Sequence, residues 1–373
     1  MAMLYIGLCL GVLLVGMGFA AIVVRMYAKK GMPANIIPSG LIVVPLMSLA
    51  FGINFFINKN VSFDVVSFVT WVILPLVYSY VLYVSGKRSS DALNKIAIDA
   101  VFVMLLIISL PKDVFLFKGL LNGLELPQYL DNLLFLPLAL YLLWSFKNKN
   151  DYDGFSSMFV ASLGLGLVAL AFPYKHLVGE GVISFGLIIG FSSAVMYAFN
   201  QYPARIPMTD CASAPLVLVL LWYTMQFSSK GMAMVVPSIF SYILIEDLVS
   251  LFKKAILKIK YAKNLNIDPR QYYLQVVDRG FRPDVTLTYI MKWHLGLILV
   301  AFVVCDPRIP YWHGLGMAMM SGACIVYMLS RKGIKEPSLK EVTSDVFSEL
   351  KSAYKTAKFQ MSKKVDDGED DKQ

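Results

Sequence analysis

Apolar residues run along this chain in long stretches with little polar alternation. Eleven stand out: Leu4–Val24, Ile36–Ile57, Val65–Val84, Ile96–Leu110, Leu130–Phe146, Phe155–Phe172, Val182–Phe199, Ala212–Phe227, Met232–Leu251, Val285–Cys305 and Trp312–Leu329. Each is near the roughly 20 residues a helix needs to cross hydrocarbon. A spanning element must satisfy its own backbone polar groups, so only helices and closed barrels qualify, and these runs are too long for barrel strands. The pattern predicts an all-α fold, a polytopic transmembrane helical bundle of about eleven spans.

The polar segments between the runs set an orientation. One alternating set carries Arg25, Lys29 and Lys30; Lys87, Arg88 and Lys95; Lys147 and Lys149; Arg205; and a large loop, Lys253–Asp284, with eight basic residues. The other set holds only Lys59, Lys112, Lys118, Lys175, Lys230 and Arg308. The richer set is expected on the cytoplasmic side, which places the N-terminus outside and the C-terminus inside. Lys112–Asn132 is the one long external segment, and its Phe115, Leu116, Phe117, Leu120 and Leu121 predict a piece lying on the membrane surface.

Composition agrees: 57% of the 373 residues are hydrophobic and only 16% charged, too little charge to cover a soluble domain of this length. The net charge of +9 does not indicate nucleic-acid binding, because the basic residues fall in short loops and not on one domain. Cys9, Cys211, Cys305 and Cys324 form no C-x-x-C pair, so neither zinc nor redox chemistry is suggested. The first run reads as a span, with no basic segment before it and no small-residue cleavage site. Residues 1–330 are expected to form the membrane domain. Residues 331–373 form a cytoplasmic tail, with a capping box at Ser338–Glu341, an amphipathic stretch through Ala357 and an acidic end.

The segment with the most chemical content is Asn200-Gln201-Tyr202-Pro203-Ala204-Arg205-Ile206-Pro207-Met208-Thr209-Asp210-Cys211-Ala212-Ser213. It resembles the F-N-x-x-P-A-R-I-F-M-G-D-T-G-S pattern of the polyprenyl-phosphate N-acetylhexosamine-1-phosphate transferases, the MraY/WecA-like family. It keeps Asn200, Pro203, Ala204, Arg205, Ile206, Met208, Asp210 and Ser213 and departs at Pro207, Thr209, Cys211 and Ala212. Three stretches fall in matching order. Ile37-Pro38-Ser39-Gly40-Leu41 is similar to the family's second-span start. Asn148–Phe155 is similar to N-x-x-D-G-x-D-G-L, with Asp153-Gly154 as the second D-G and Asn150 at the first Asp. The loop before the tenth span corresponds to the last catalytic loop.

The resemblance implies transfer of a hexosamine-1-phosphate from a UDP-sugar to a polyprenyl (undecaprenyl) phosphate, at the cytoplasmic face of a bacterial inner membrane. It makes Asp210 the Mg²⁺ ligand and a catalytic residue, with Asp153 and Asp151 as further catalytic candidates. Lys95 and Arg205 are implied phosphate binders, as a point charge and a planar fork. Asn150, Asn200, Arg270 and Tyr272 are the remaining substrate-binding candidates. Two of the family's features have no counterpart. Its Asp-Asp pair would fall near Ser85 and Gly86, and its histidine cluster would fall at Asp268–Tyr273, where no histidine stands.

Those departures keep a second reading open, a catalytically inactive homologue serving as a membrane scaffold or a lipid-phosphate- or partner-binding subunit, as a homodimer or with another protein. A third, an unrelated transporter or glycan polymerase, fits poorly with so few polar residues inside the spans. Plainer roles are also open for individual residues. Asp210 and Arg205 could pair to close a loop, Asp151 and Asp153 could be turn or cap residues, Lys95 could only anchor topology, and Tyr272 and Tyr273 could be interfacial aromatics. Asp99, costly in lipid, is expected to face a polar cavity or reach back to Lys95.

Overall fold

The computed structural model describes residues 2–29, 37–57, 65–87, 92–110, 127–150, 152–229, 232, 234–260, 276–277, 282–305 and 309–331. Every regular element among them is helical, in this order: α1 (Ala2–Lys29), α2 (Gly40–Ile57), α3 (Val65–Phe68), a π-turn (Val69–Ile73), α4 (Leu74–Lys87), α5 (Ala92–Ile108), α6 (Gln128–Asn148), α7 (Phe155–Ala171), α8 (Lys175–Val178), α9 (Glu180–Asn200), α10 (Asp210–Ser229), α11 (Val235–Lys260), α12 (Pro283–Val304) and α13 (Tyr311–Arg331). The eleven apolar runs fall largely on helices, the third being divided among α3, the π-turn and α4. Among the described residues, seven stretches are long and apolar enough to cross a membrane: Gly7–Tyr27, Val69–Gly86, Gly181–Asn200, Asp210–Ser228, Val235–Lys253, Pro283–Val304 and Trp312–Ser330. Three more helices are apolar but shorter, covering Gly40–Phe56, Leu133–Asn148 and Phe155–Ala171. The chain is a membrane protein.

Two elements differ from the sequence pattern. The third run does not form one regular helix, because the π-turn at Val69–Ile73 interrupts it. α11 continues nine residues past Leu251, to Lys260, because Ala255, Ile256 and Ile259 prolong the helical spacing through the basic residues. The large loop is correspondingly shorter at its start.

α10 is the centre of the molecule: 94% of its spanning window is buried, against 17% for α1. It packs against α2, α4, α6, α7, α9 and α11. α7 and α9 form the most intimate pair, and small residues let their backbones meet. A Cβ on Gly164 would lie 2.8 Å from the Gly190 backbone nitrogen, the close approach that small residues permit between membrane helices. Towards one end of the bundle Trp71, placed by the π-turn, stacks on Phe185 (centroids 4.3 Å, planes 17° apart) and meets Trp222 edge-on at 4.2 Å. Contacts gather Met1–Leu329 into one compact unit; Ser330–Gln373 is a second, of which only 330–331 are described.

Gly164→Leu is expected to cost about 2 kcal/mol by overpacking and to lower the thermal midpoint of the detergent-solubilised chain. Gly18→Leu, where nothing lies within 4 Å of the added carbon, is expected to leave the midpoint unchanged.

Candidate functional site

Asp210 opens α10, so the central helix begins with a carboxylate at its electropositive end. Three segments converge there. The turn before α2 is fixed by Ser39, whose Oγ accepts the Thr209 backbone N–H at 3.0 Å and lies 2.8 Å from Thr209 Oγ1. Ser79 of α4 donates to the Cys211 carbonyl at 2.7 Å. Gly40 makes that approach feasible, since a Cβ there would sit 2.5 Å from the same carbonyl oxygen. Just past the end of α6, Asn150 donates through Nδ2 to Asp210 Oδ1 at 3.0 Å and to Ser213 Oγ at 2.8 Å.

These contacts frame a pocket of about 320 Å³ lined by Ile37, Pro38, Leu82, Tyr83, Ser85, Gly86, Lys95, Thr209, Asp210 and Cys211. Its wall is polar along Ser85, Lys95, Thr209 and Asp210 and apolar along Ile37, Pro38 and Leu82. Lys95 and Asp210, 115 positions apart in sequence, therefore face one cavity.

Directly beneath is an ion pair that the sequence pattern did not identify. Asp99 lies one turn beyond Lys95 on α5, and Tyr78 one turn before Leu82 on α4. The Lys147 ammonium is 2.7 Å from each Asp99 oxygen, and the Tyr78 hydroxyl donates to Asp99 Oδ1 at 2.6 Å. Asp99 thus pairs with Lys147 rather than with Lys95, and both side chains of the pair are largely buried. Lys149 is internal as well: it lies 2.5 Å from Asp247 and is completely buried. Glu246 and Asp247 of α11 are likewise buried.

The other candidates divide. Asn200 is fully buried. Its Oδ1 accepts the Gly154 N–H at 2.9 Å and the Ser157 hydroxyl at 3.1 Å, and its Nδ2 donates to the Ile206 carbonyl at 3.1 Å. Asn200 thus ties two loops together, with both ends of its amide engaged inside the protein. Gly154, at φ +79°, adopts the left-handed turn that presents its N–H to Asn200. Asp153 accepts the Ala204 N–H at 3.0 Å and ties the same two loops. Arg205 is exposed and makes no ion pair with Asp210 among the described residues. His294 is a core residue, its ring 4.1 Å from Phe159.

Asp151, Arg270, Tyr272 and Tyr273 lie outside the described residues, as do most of the large loop, the stretch at 111–126 and the tail beyond 331. The chain matches no protein-family model and no curated protein.

Lys147→Met would leave the Asp99 carboxylate without its cation, at a cost of roughly 3 kcal/mol. Thermal unfolding in detergent is expected to show this loss, and Asp99→Leu/Lys147→Met, which removes both charges, to recover most of it.

Proposed function

We propose that this protein is a divergent polyprenyl-phosphate sugar-1-phosphate transferase. It would pass an N-acetylhexosamine-1-phosphate from a UDP-sugar to undecaprenyl phosphate at the cytoplasmic face of a bacterial inner membrane and so start a cell-envelope glycan. The observation that supports this reading is the pocket. Lys95, Asp210 and the Ser85–Gly86 pair come from three separate segments and line one cavity. Those positions correspond to the family's basic residue, metal ligand and acidic pair.

The residues present are compatible with Mg²⁺. No group of three or more His, Cys, Asp or Glu side chains among the described residues could hold a metal alone. Mg²⁺ at such sites commonly takes one or two carboxylates plus substrate phosphate oxygens and waters. Asp210 offers the carboxylate, held by the Asn150 amide nitrogen, and the Oδ1 of that same amide is buried with no hydrogen-bond partner. When bound, the ion would neutralise charge on the diphosphate.

The protein's own part is positioning and charge. A lipid phosphate oxygen attacks the β-phosphorus of the UDP-sugar, a P–O bond forms there, and the bond from that phosphorus to the bridging oxygen breaks to release UMP. Lys95 would meet a phosphate as a point charge. Asn150 holds the Asp210 carboxylate in a fixed orientation, which is most of what phosphoryl transfer asks of a protein. The nucleophile is already anionic near neutral pH, so hydroxyl and backbone groups at Ser85 and Gly86 can stand where the family has acids, at a lower rate. The accompanying topology has eleven spans, the N-terminus outside and the C-terminus inside. Reporter fusions at Lys258 and Tyr311 test it, and an external Lys258 would overturn it.

Purified protein given undecaprenyl phosphate, Mg²⁺ and a panel of UDP-N-acetylhexosamines is expected to release UMP in a lipid-dependent manner. Asp210→Ala should reduce release roughly 100-fold or more without unfolding the chain. Folded protein that releases no UMP from any donor, yet still binds lipid phosphate, would replace this reading with the non-catalytic, binding-subunit one.

A further inference from the structure

The end of α6 carries Lys147 and Lys149 two residues apart, a spacing that sends side chains to different sides of a helix. Lys147 turns toward α5 and the pocket. Lys149 turns toward α11, where its Nζ lies 2.5 Å from Asp247 Oδ1 and 3.7 Å from Glu246 Oε2, with all three side chains at most 1% exposed. One turn earlier, Ser145 donates to the other oxygen of Asp247. One turn earlier again, Tyr141 donates to the Leu244 carbonyl at 3.3 Å. Polar contacts therefore join α6 to α11 in successive turns up to the point where the chain leaves the helix.

The next residue is Asn150, whose amide holds Asp210 Oδ1 and Ser213. Three residues further on, Asp153 and Gly154 bond to the segment that leads into α10. The turn at 150–154 is thus anchored at its tip by hydrogen bonds and at its root by the lysine.

A buried ion pair is a poor source of stability, since well-packed apolar residues of similar volume do as well or better. What it supplies, and an apolar contact does not, is a fixed distance and direction between two particular atoms. The geometry points to Lys149 as a positioning residue for Asp210. Its ion pair with Asp247 fixes the root of the 150–154 turn against α11 and so sets where Asn150 meets the Asp210 carboxylate. The catalytic consequence rests on the transferase reading; the structural consequence does not.

Two variants of the full-length chain test this in detergent. Lys149→Met/Glu246→Gln/Asp247→Leu removes all three charges, and Asp247→Asn removes one charge while keeping the shape and leaving Lys149 beside Glu246. Hydrogen exchange read by mass spectrometry should quicken at least roughly tenfold at the Gly154 and Ala204 amides, with α7, α9 and α10 protected as in the parent. UMP release should fall in kcat with the KM for the UDP-sugar unchanged, and adding Asn150→Ala should cause little further loss, because both changes cut one connection.

Unchanged exchange at Gly154 and Ala204 in Asp247→Asn would overturn the assignment. So would faster exchange spread evenly over all helices, or an Asn150→Ala effect that adds in full. If the parent releases no UMP while exchange still quickens locally in the variants, the transferase reading fails and the positioning role stands.

Discussion

An unpaired charge surrounded by hydrocarbon is expensive, and this chain brings several charges to one region of its helical bundle. The structure meets that constraint with two ion pairs at the end of a single helix. Asp99 takes Lys147, with the Tyr78 hydroxyl completing its shell, and Asp247 takes Lys149. These pairs join α6 to α5 and α4 on one side and to α11 on the other. The Asn150–Asp210 hydrogen bond then brings the same helix end onto α10. Much of the arrangement around Asp210 follows from where α6 ends.

The pocket sits on top of this frame. Its polar wall comes from the end of α4, from α5 and from the start of α10, and its apolar wall from the turn before α2 and from Leu82 of α4. The close contacts at its base, Ser39 on Thr209 and Gly40 against the Cys211 carbonyl, leave little room for the two segments to separate. Thr209 and Cys211 are two of the positions at which the chain departs from the transferase pattern. Both are joined to the first turn of α10 or to Ser39 rather than left idle.

The helices were legible in the sequence because apolar run length is a direct consequence of the bilayer, and the predicted runs fall largely on helices. Asp210 and Lys95 were singled out in sequence by motif order, and the fold gives them a common cavity. The partners were not legible. Lys147 and Lys149 look in sequence like two more basic residues of a loop, since nothing local reveals a carboxylate 48 or 98 residues away. Asn200 and Asp153 read as site residues because they lie in polar motifs, but polarity at a helix end is also what a loop knot needs. The π-turn at Val69–Ile73 has no apolar signature, because the interrupted run is as hydrophobic as a regular one.

The separations of the two ion pairs along the chain have a consequence for assembly. Chains emerge N-terminus first, so Asp99 is already made when Lys147 appears, and that pair can close as soon as α6 is in place. Asp247 is still about a hundred residues away when Lys149 emerges. Until α11 is inserted, Lys149 lacks that partner and is free to interact with water or anionic headgroups. One residue can therefore serve twice, first as a surface cation while the chain is being threaded and later as an internal brace. The Lys149–Asp247 pair therefore closes only when α11, late in the order of synthesis, arrives.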